Sequence, residues 1–208
     1  GSGEIPRVER EQGRRLRRGG RGPWRAIMSN ILLGVSAGIA AYKSADLASK
    51  LTQRGDSVRT ILTPSAQKFI TPLTFRAVTR QEVFTDIFED DPAYKGEHIS
   101  LSEWADLLLI APATADLIGK LAGGLGGDLL TVTALAFDKP VLFAPAMNDR
   151  MWMNPVVQEN ISRLQDVLGY KLIDPGEGHL ACGSVGPGRL AEVPELIARI
   201  DEALQLEP

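Results

Sequence analysis

From Asn30 onward, short apolar runs alternate with longer stretches in which apolar residues recur every three or four positions. Strands alternating with helices on a parallel sheet produce that pattern. Ile31 to Val35 predicts a buried strand, and Ile39 to Arg54 predicts a helix through Ala41, Ala45, Leu47, Ala48 and Leu51, with Gly55 as its stop. Ser57 to Leu62 predicts a second strand, Ala66 to Phe69 a short helix, and Pro72 to Thr79 another. Residues 84 to 97, with Asp-Asp-Pro and Lys-Gly, predict a loop, and Ser100 to Ala105 a short helix. Asp106 to Ile110 is almost wholly apolar, as a strand covered on both faces must be. Helices follow over Ala115 to Ala122 and Asp128 to Ala136, separated by glycines at 123, 124, 126 and 127. Strands over Val141 to Ala144 and Lys171 to Ile173 flank a helix over Pro155 to Leu168, and Glu192 to Gln205 closes the chain as an amphipathic helix. The fold class is therefore α/β: one domain, three layers (αβα), a parallel sheet, no internal repeat.

The first 27 residues break the pattern. They hold eight Arg against three Glu, with few apolar residues, so the net charge of -3 over 208 residues hides a remainder with eight more acidic than basic groups. An acidic core of that kind argues against nucleic-acid binding. Residues 1–28 are expected to be a disordered basic tail that opens on an appended Gly-Ser-Gly linker, with Met28 as a natural start and 29–208 as the folded domain. At 44% hydrophobic and 24% charged the chain has a soluble-globular composition, and no apolar run reaches the roughly 20 residues of a membrane span. A single cysteine forms no internal disulfide, so a cytoplasmic location is expected.

In a parallel α/β sheet, ligands lie beyond the carboxyl ends of the strands, which directs attention to the loops there. The first, Gly34 to Ile39, sets small residues where a strand becomes a helix; either it brings backbone N–H groups and the Ser36 hydroxyl to a phosphate, or it is a tight turn with no ligand. The second, Thr63-Pro64-Ser65, offers hydroxyls that suit a ligand or an N-cap. The third, Ala111 to Asp116, has no large side chain, so a flat ring can lie on its backbone, although Thr114 also suits an N-cap. The fourth, Ala144 to Trp152, gathers two Met, a Trp and Asn148 in a turn that ought to be polar, and favours a binding surface. Gly178 to Arg189 reads as a mobile glycine-spaced flap carrying Cys182. His98 stands at the junction of a polar loop and the following helix, as a functional group or a capping one. Two histidines far apart and one cysteine give no metal-ligand spacing, so no metal is expected.

Five pieces in this order carry a family likeness: Ser36-Ala37-Gly38-Ile39-Ala40-Ala41-Tyr42-Lys43; His98-Ile99-Ser100-Leu101; Ala111-Pro112-Ala113-Thr114-Ala115-Asp116 with Gly119-Lys120; Pro145-Ala146-Met147-Asn148 with Met151-Trp152 and Asn154-Pro155; and Leu180-Ala181-Cys182-Gly183. From about Ile31 to Ala203 the chain resembles the homo-oligomeric flavin-containing cysteine decarboxylases. The likeness implies a Rossmann-like or flavodoxin-like domain that binds FMN and decarboxylates 4'-phosphopantothenoyl-cysteine to 4'-phosphopantetheine in coenzyme A biosynthesis. The thiol carbon is oxidised to a thioaldehyde, carbon dioxide leaves, and the enethiolate is reduced again. It implies catalytic roles for His98 (proton transfer), Asn148 (holding the carboxylate) and Cys182 (proton donor, as the thiol). Ser36, Ala37, Gly38, Ile39, Thr63, Ser65, Thr114, Ala115, Asp116 and Ala146 then line the FMN. Asn148, Met151, His179, Leu180 and Ala181 fall on the substrate side.

The chain departs from many relatives at Thr114-Ala115-Asp116-Leu117, where they read Ser-Ala-Asn-Thr; the Asp116 carboxylate opposes anionic reduced flavin. The resemblance further implies a homotrimer, or a larger assembly of trimers, with FMN at subunit contacts. A phosphopantothenate-cysteine ligase, fused or separate, is the expected partner, with no nucleic acid and no membrane. A peptidyl-cysteine decarboxylase, a flavin prenyltransferase and a non-catalytic regulatory flavoprotein are the alternatives.

Overall fold

A computed structural model describes residues 28–87, 96–179, 183 and 185–205. The basic tail up to residue 27 lies outside the described residues, as do Leu180, Ala181 and Cys182. Chain order begins with β1 (Asn30–Val35), α1 (Ala41–Gln53), β2 (Ser57–Leu62), a 3-10 turn at Ala66–Lys68, α2 (Pro72–Thr79) and β3 (Val83–Phe84). It continues through α3 (Glu97–Trp104), β4 (Leu107–Ala113), α4 (Ala115–Ala122), α5 (Leu129–Leu135), β5 (Val141–Pro145), α6 (Asp149–Trp152), α7 (Pro155–Asp166) and β6 (Lys171–Leu172). An antiparallel hairpin, β7 (Gly176–His179) with β8 (Val185–Arg189), precedes α8 (Val193–Gln205).

Six strands pair in parallel in the order β3-β2-β1-β4-β5-β6. That is the doubly wound Rossmann order; without the two-residue β3, the remaining strands follow the flavodoxin order. Both likenesses expected from sequence thus describe one sheet. Strand direction of travel reverses between β1 and β4, which makes their carboxyl ends the switch point where such sheets open a crevice.

The near-continuous apolar strands are explained by two cores, one on each face. Ile31, Leu33 and Val35 of β1 and Leu107, Leu109 and Ala111 of β4 point into a core shared with α1, α2 and α8. The alternate residues Leu32, Leu108 and Ile110 point into the other, shared with α3, α4, α5 and α7. Period-2 alternation survives, but both phases are apolar because both faces are covered. Each fully buried Leu or Ile contributes roughly 1.5–3 kcal/mol, so the sheet is the rigid part on which the loops are mounted.

Four expectations are corrected. The third strand runs to Ala113 rather than Ile110, so Ala111 and Pro112 belong to β4 and the loop starts at Thr114. Its helical partner starts at Glu97, after Gly96 in the left-handed region, so His98 sits in the first turn of α3 and not at a loop junction. The segment 84–97 opens with Phe84, half of a two-residue strand too short to carry a periodic signal. The expected glycine flap has paired antiparallel arms, with Glu177 opposite Pro187 and Gly178 opposite Gly186. Glycines in both arms and Pro187 in the second conceal these strands from any reading by propensity.

Candidate functional site

The loops after β2, β1, β4 and β5 lie side by side in that order, and backbone hydrogen bonds sew them together. Thr63 N donates to Val35 O (3.1 Å), Ser36 N to Pro112 O (3.2 Å), and Ala146 N to Ala113 O (3.1 Å). The four loops singled out from sequence therefore form one continuous rim at the carboxyl edge.

Ser36 braces that rim. Its hydroxyl donates to Pro112 O at 2.7 Å and accepts from Thr114 N at 3.0 Å, and the residue is 2% exposed. The hydroxyl's one proton thus goes to the β4 strand end rather than outward to a phosphate. Backbone amides remain for that task. Helix α1 has Ala40 as its N-cap, with no side-chain capping bond, and Gly38, at φ 150°, has nothing within 4 Å of where a Cβ would stand. An uncapped N-terminus of a 13-residue helix behind an open cradle suits an anionic group.

The hydroxyls of the second and third loops divide between capping and exposure. Thr63 Oγ1 accepts from Ala66 N at 3.2 Å, and Thr114 Oγ1 accepts from Leu117 N at 3.3 Å as the N-cap of α4. Ser65 is exposed and makes no capping bond. Asp116 is exposed and ion-paired with Lys120 Nζ at 2.7 Å, one turn along α4. The hydrogen bond to Asp116 raises the Lys120 ammonium above its usual value. The carboxylate thus enters the rim already partnered, which weakens the repulsion expected between it and a reduced flavin. Ala115 is half-buried, Ala146 packs against the core, and Ile39 presents an exposed apolar side chain. Small residues on three loops, an apolar side chain and an uncapped helix terminus beside an open glycine fit a flat ring carrying a phosphate, and so fit FMN.

At the fourth loop Asn148 is the N-cap of α6, its Oδ1 accepting from Arg150 N at 2.8 Å. That bond fixes the orientation of the Asn148 amide. Met151 is exposed beside it. The hairpin reaches this loop directly: Met147 N donates to Gly188 O at 2.9 Å. Gly188 lies at φ 125°, and a Cβ there would stand 2.3 Å from Met147 O, so only glycine permits the approach. Sequence reading missed this role; the signal was present as glycine spacing but pointed equally to a plain loop.

His98 is half-buried at the amino end of α3. Because α3 leads into β4, that end faces the carboxyl edge of the sheet. Its Nδ1 is buried with no hydrogen-bond partner among the described residues. α3 packs on α5, and no hydrogen bond among the described residues joins His98 to the Asn148 loop. His179 ends β7, which places its backbone in the hairpin arm. A cavity of about 360 Å³ between Ser102, Glu103, Asp138 and Lys139 also exists. There Lys139 Nζ caps the carboxyl end of α3 through three carbonyls, at 2.6–3.2 Å, at the opposite end of that helix from His98. That cavity plays no part in the rim.

Comparison with known proteins agrees with this geometry. The Flavoprotein family model matches residues 26–205. The coenzyme A biosynthesis bifunctional protein CoaBC of Bacillus subtilis (strain 168) is 53% identical over 174 residues, 83% of this chain but 42% of its own length. The chain thus spans less than half of the bifunctional relatives it matches. The probable phosphopantothenoylcysteine decarboxylase of Streptococcus mutans is 43% identical over 180 residues, 86% of this chain and 100% of its own length. Among solved structures, a cysteine-to-serine mutant of PPC decarboxylase complexed with pantothenoylaminoethenethiol superposes with a TM-score of 0.74 at 35% identity, over 84% of this chain and 97% of that one. The FMN-dependent cysteine decarboxylase SpaF superposes equally well, with a TM-score of 0.74 at 34% identity, covering 85% of this chain and 95% of that one. A parallel sheet with a small-residue rim at its switch point and a family match across nearly the whole folded domain place this chain in the Flavoprotein family, among relatives that include the phosphopantothenoylcysteine decarboxylases.

Proposed function

We propose that this domain decarboxylates 4'-phosphopantothenoyl-cysteine to 4'-phosphopantetheine with FMN as cofactor, in coenzyme A biosynthesis. The observation that carries the reading is the continuous rim of four loops at the switch point, with Asn148 fixed at one end of it. Identity to a probable phosphopantothenoylcysteine decarboxylase over all of that relative's length supports the choice of substrate.

FMN, when bound, would supply the two-electron sink that oxidation of the thiol-bearing carbon and the later reduction require. Ala37, Gly38, Ile39, Thr63, Ser65, Thr114, Ala115, Asp116 and Ala146 line the cofactor, with Ser36 holding the first and third loops in register. Asn148, through Nδ2, holds the substrate carboxylate; a neutral amide grips it without the salt bridge that would hinder its departure. His98 accepts the proton released as the thiol carbon is oxidised, and its Nδ1, which has no hydrogen-bond partner among the described residues, is the atom with capacity for it. Cys182, as the thiol, donates the proton in the final reduction, and Met151, His179, Leu180 and Ala181 contact the substrate. The working form is a homotrimer in the cytoplasm, consistent with exposed apolar residues such as Tyr42 and Met153. A phosphopantothenate-cysteine ligase, fused or separate, supplies the substrate.

The test is to purify the protein, measure flavin absorbance, add 4'-phosphopantothenoyl-cysteine, and quantify carbon dioxide and product thiol. The expected result is one thiol per carbon dioxide. His98→Asn is expected to abolish turnover with FMN still bound, and Cys182→Ser to release carbon dioxide while accumulating the oxidised enethiol. Normal reduced product at full rate from Cys182→Ser would remove the proton-donor role. Turnover of a peptide ending in cysteine, but not of the pantothenoyl substrate, would replace the substrate proposed.

A further inference from the structure

Lys43 stands in the first turn of α1 with its side chain 8% exposed. That is a poor place for a cation. The helix end is itself positive, and burying an ammonium costs several kcal/mol unless its donors are matched. An apolar side chain would serve the packing of α1 against α8 at least as well. What an ammonium adds is direction. Lys43 Nζ donates to Leu190 O at 3.2 Å and to Glu192 Oε1 at 2.9 Å, 147 and 149 positions away. Arg189 Nη2 meets the same Glu192 oxygen at 3.1 Å, so one carboxylate joins α1 to the end of β8. The Glu192 carboxyl lies below its ordinary range, chiefly through the hydrogen bond from Lys43.

The anchored point lies close to the proposed carboxylate site. Leu190 is two residues beyond Gly188, whose carbonyl holds Met147 N at 2.9 Å and whose Cα lies directly against the Met147 carbonyl. Asn148 follows Met147. Lys43 is held in place by burial, and from Leu190 to Asn148 each step in this path is a backbone bond, a backbone contact or a covalent neighbour. We infer that Lys43 is a positioning residue: from behind the first loop it fixes β8, and through β8 the Met147–Asn148 turn that receives the substrate carboxylate. The inference rests on the decarboxylase reading for its kinetic consequence, but not for the anchoring itself.

Two variants test it in the full-length, FMN-loaded protein. Lys43→Met removes both bonds at similar length; Glu192→Gln, at a side chain 60% exposed, removes the charge but keeps an acceptor. Lys43→Met is expected to speed hydrogen exchange at the Met147 amide by about tenfold, and to lower kcat/KM by about tenfold, chiefly through KM. Bound-flavin absorbance is expected to stay unchanged. Glu192→Gln is expected to move both quantities by about threefold, because the Leu190 contact remains. It carries the test alone if Lys43→Met fails to fold. A lower melting temperature with wild-type exchange at Met147 and wild-type KM would mark Lys43 as a simple structural staple and overturn the inference. If the wild-type protein turns over no substrate, the decarboxylase reading fails by itself, and the exchange data still decide the anchor.

Discussion

The two ends of the site are held by different means. The loops after β2, β1 and β4, proposed to hold FMN, are consequences of the sheet, because adjacent strands end together and their backbones bond directly, with Ser36 buried between them. The Met147–Asn148 turn also follows a strand, but its outer side is supported by a hairpin some 40 residues later in the chain. Among the described residues, that support includes one backbone bond, a glycine that no other residue replaces, and the charged pair of Lys43 and Glu192 behind the hairpin. Geometry written by a parallel sheet is robust to substitution at the surface. Geometry imported from a distant hairpin depends on a few contacts and fails when one is lost.

That contrast orders the expected effects. Gly188→Ala is the largest: it places a Cβ within 2.3 Å of Met147 O and forces an L side chain to φ 125°. It is expected to lower stability by about 2–4 kcal/mol or to expel the hairpin, with turnover lost in either case and flavin absorbance retained. Denaturant titration together with flavin titration checks it; equal loss of flavin binding would erase the distinction between the two ends. Ser36→Ala comes next. It leaves the Thr114 amide without its Ser36 acceptor and leaves the Pro112 carbonyl with the backbone bond from residue 36 alone, and is expected to cost about 1–3 kcal/mol and weaken FMN more than substrate. Weakened substrate binding with FMN affinity intact would reverse the assignment. The smallest effect is expected for Asp116→Asn, since the exposed Lys120 pair is worth at most about 0.5 kcal/mol. A melting-temperature shift beyond a few degrees would show that Asp116 does more than pair with its helix neighbour.

The same contrast explains what the sequence revealed. Strands β1, β2, β4 and β5 and their loops were legible because both faces are buried, which makes the strands apolar runs and the following turns conspicuous for small residues. Helices α2 and α4 were legible to the residue, from Pro72 at a helix start and from Thr114 as a cap. The hairpin was not, since Gly176, Gly178, Gly186, Pro187 and Gly188 hold their strand pairing against their own propensities. Nor was the first turn of α3, which follows a left-handed Gly96 and carries His98 into a helix. Ser36 was recognised as important, but its bond to Pro112 O was not legible, because a hydroxyl aimed at a ligand and one aimed at a neighbouring carbonyl look alike in sequence. The five motifs of the family likeness marked both regions, but nothing in them told which was rigid by construction of the sheet.

The most direct test of the central claim is a hydrogen-exchange footprint of FMN on the flavin-free protein. The account predicts protection of amides in four separate stretches, around 36–41, 63–66, 114–117 and 146–148, and none around Asp138 and Lys139 at the other end of α3. Protection absent from the first and third loops, or a protein that binds no flavin, would contradict it.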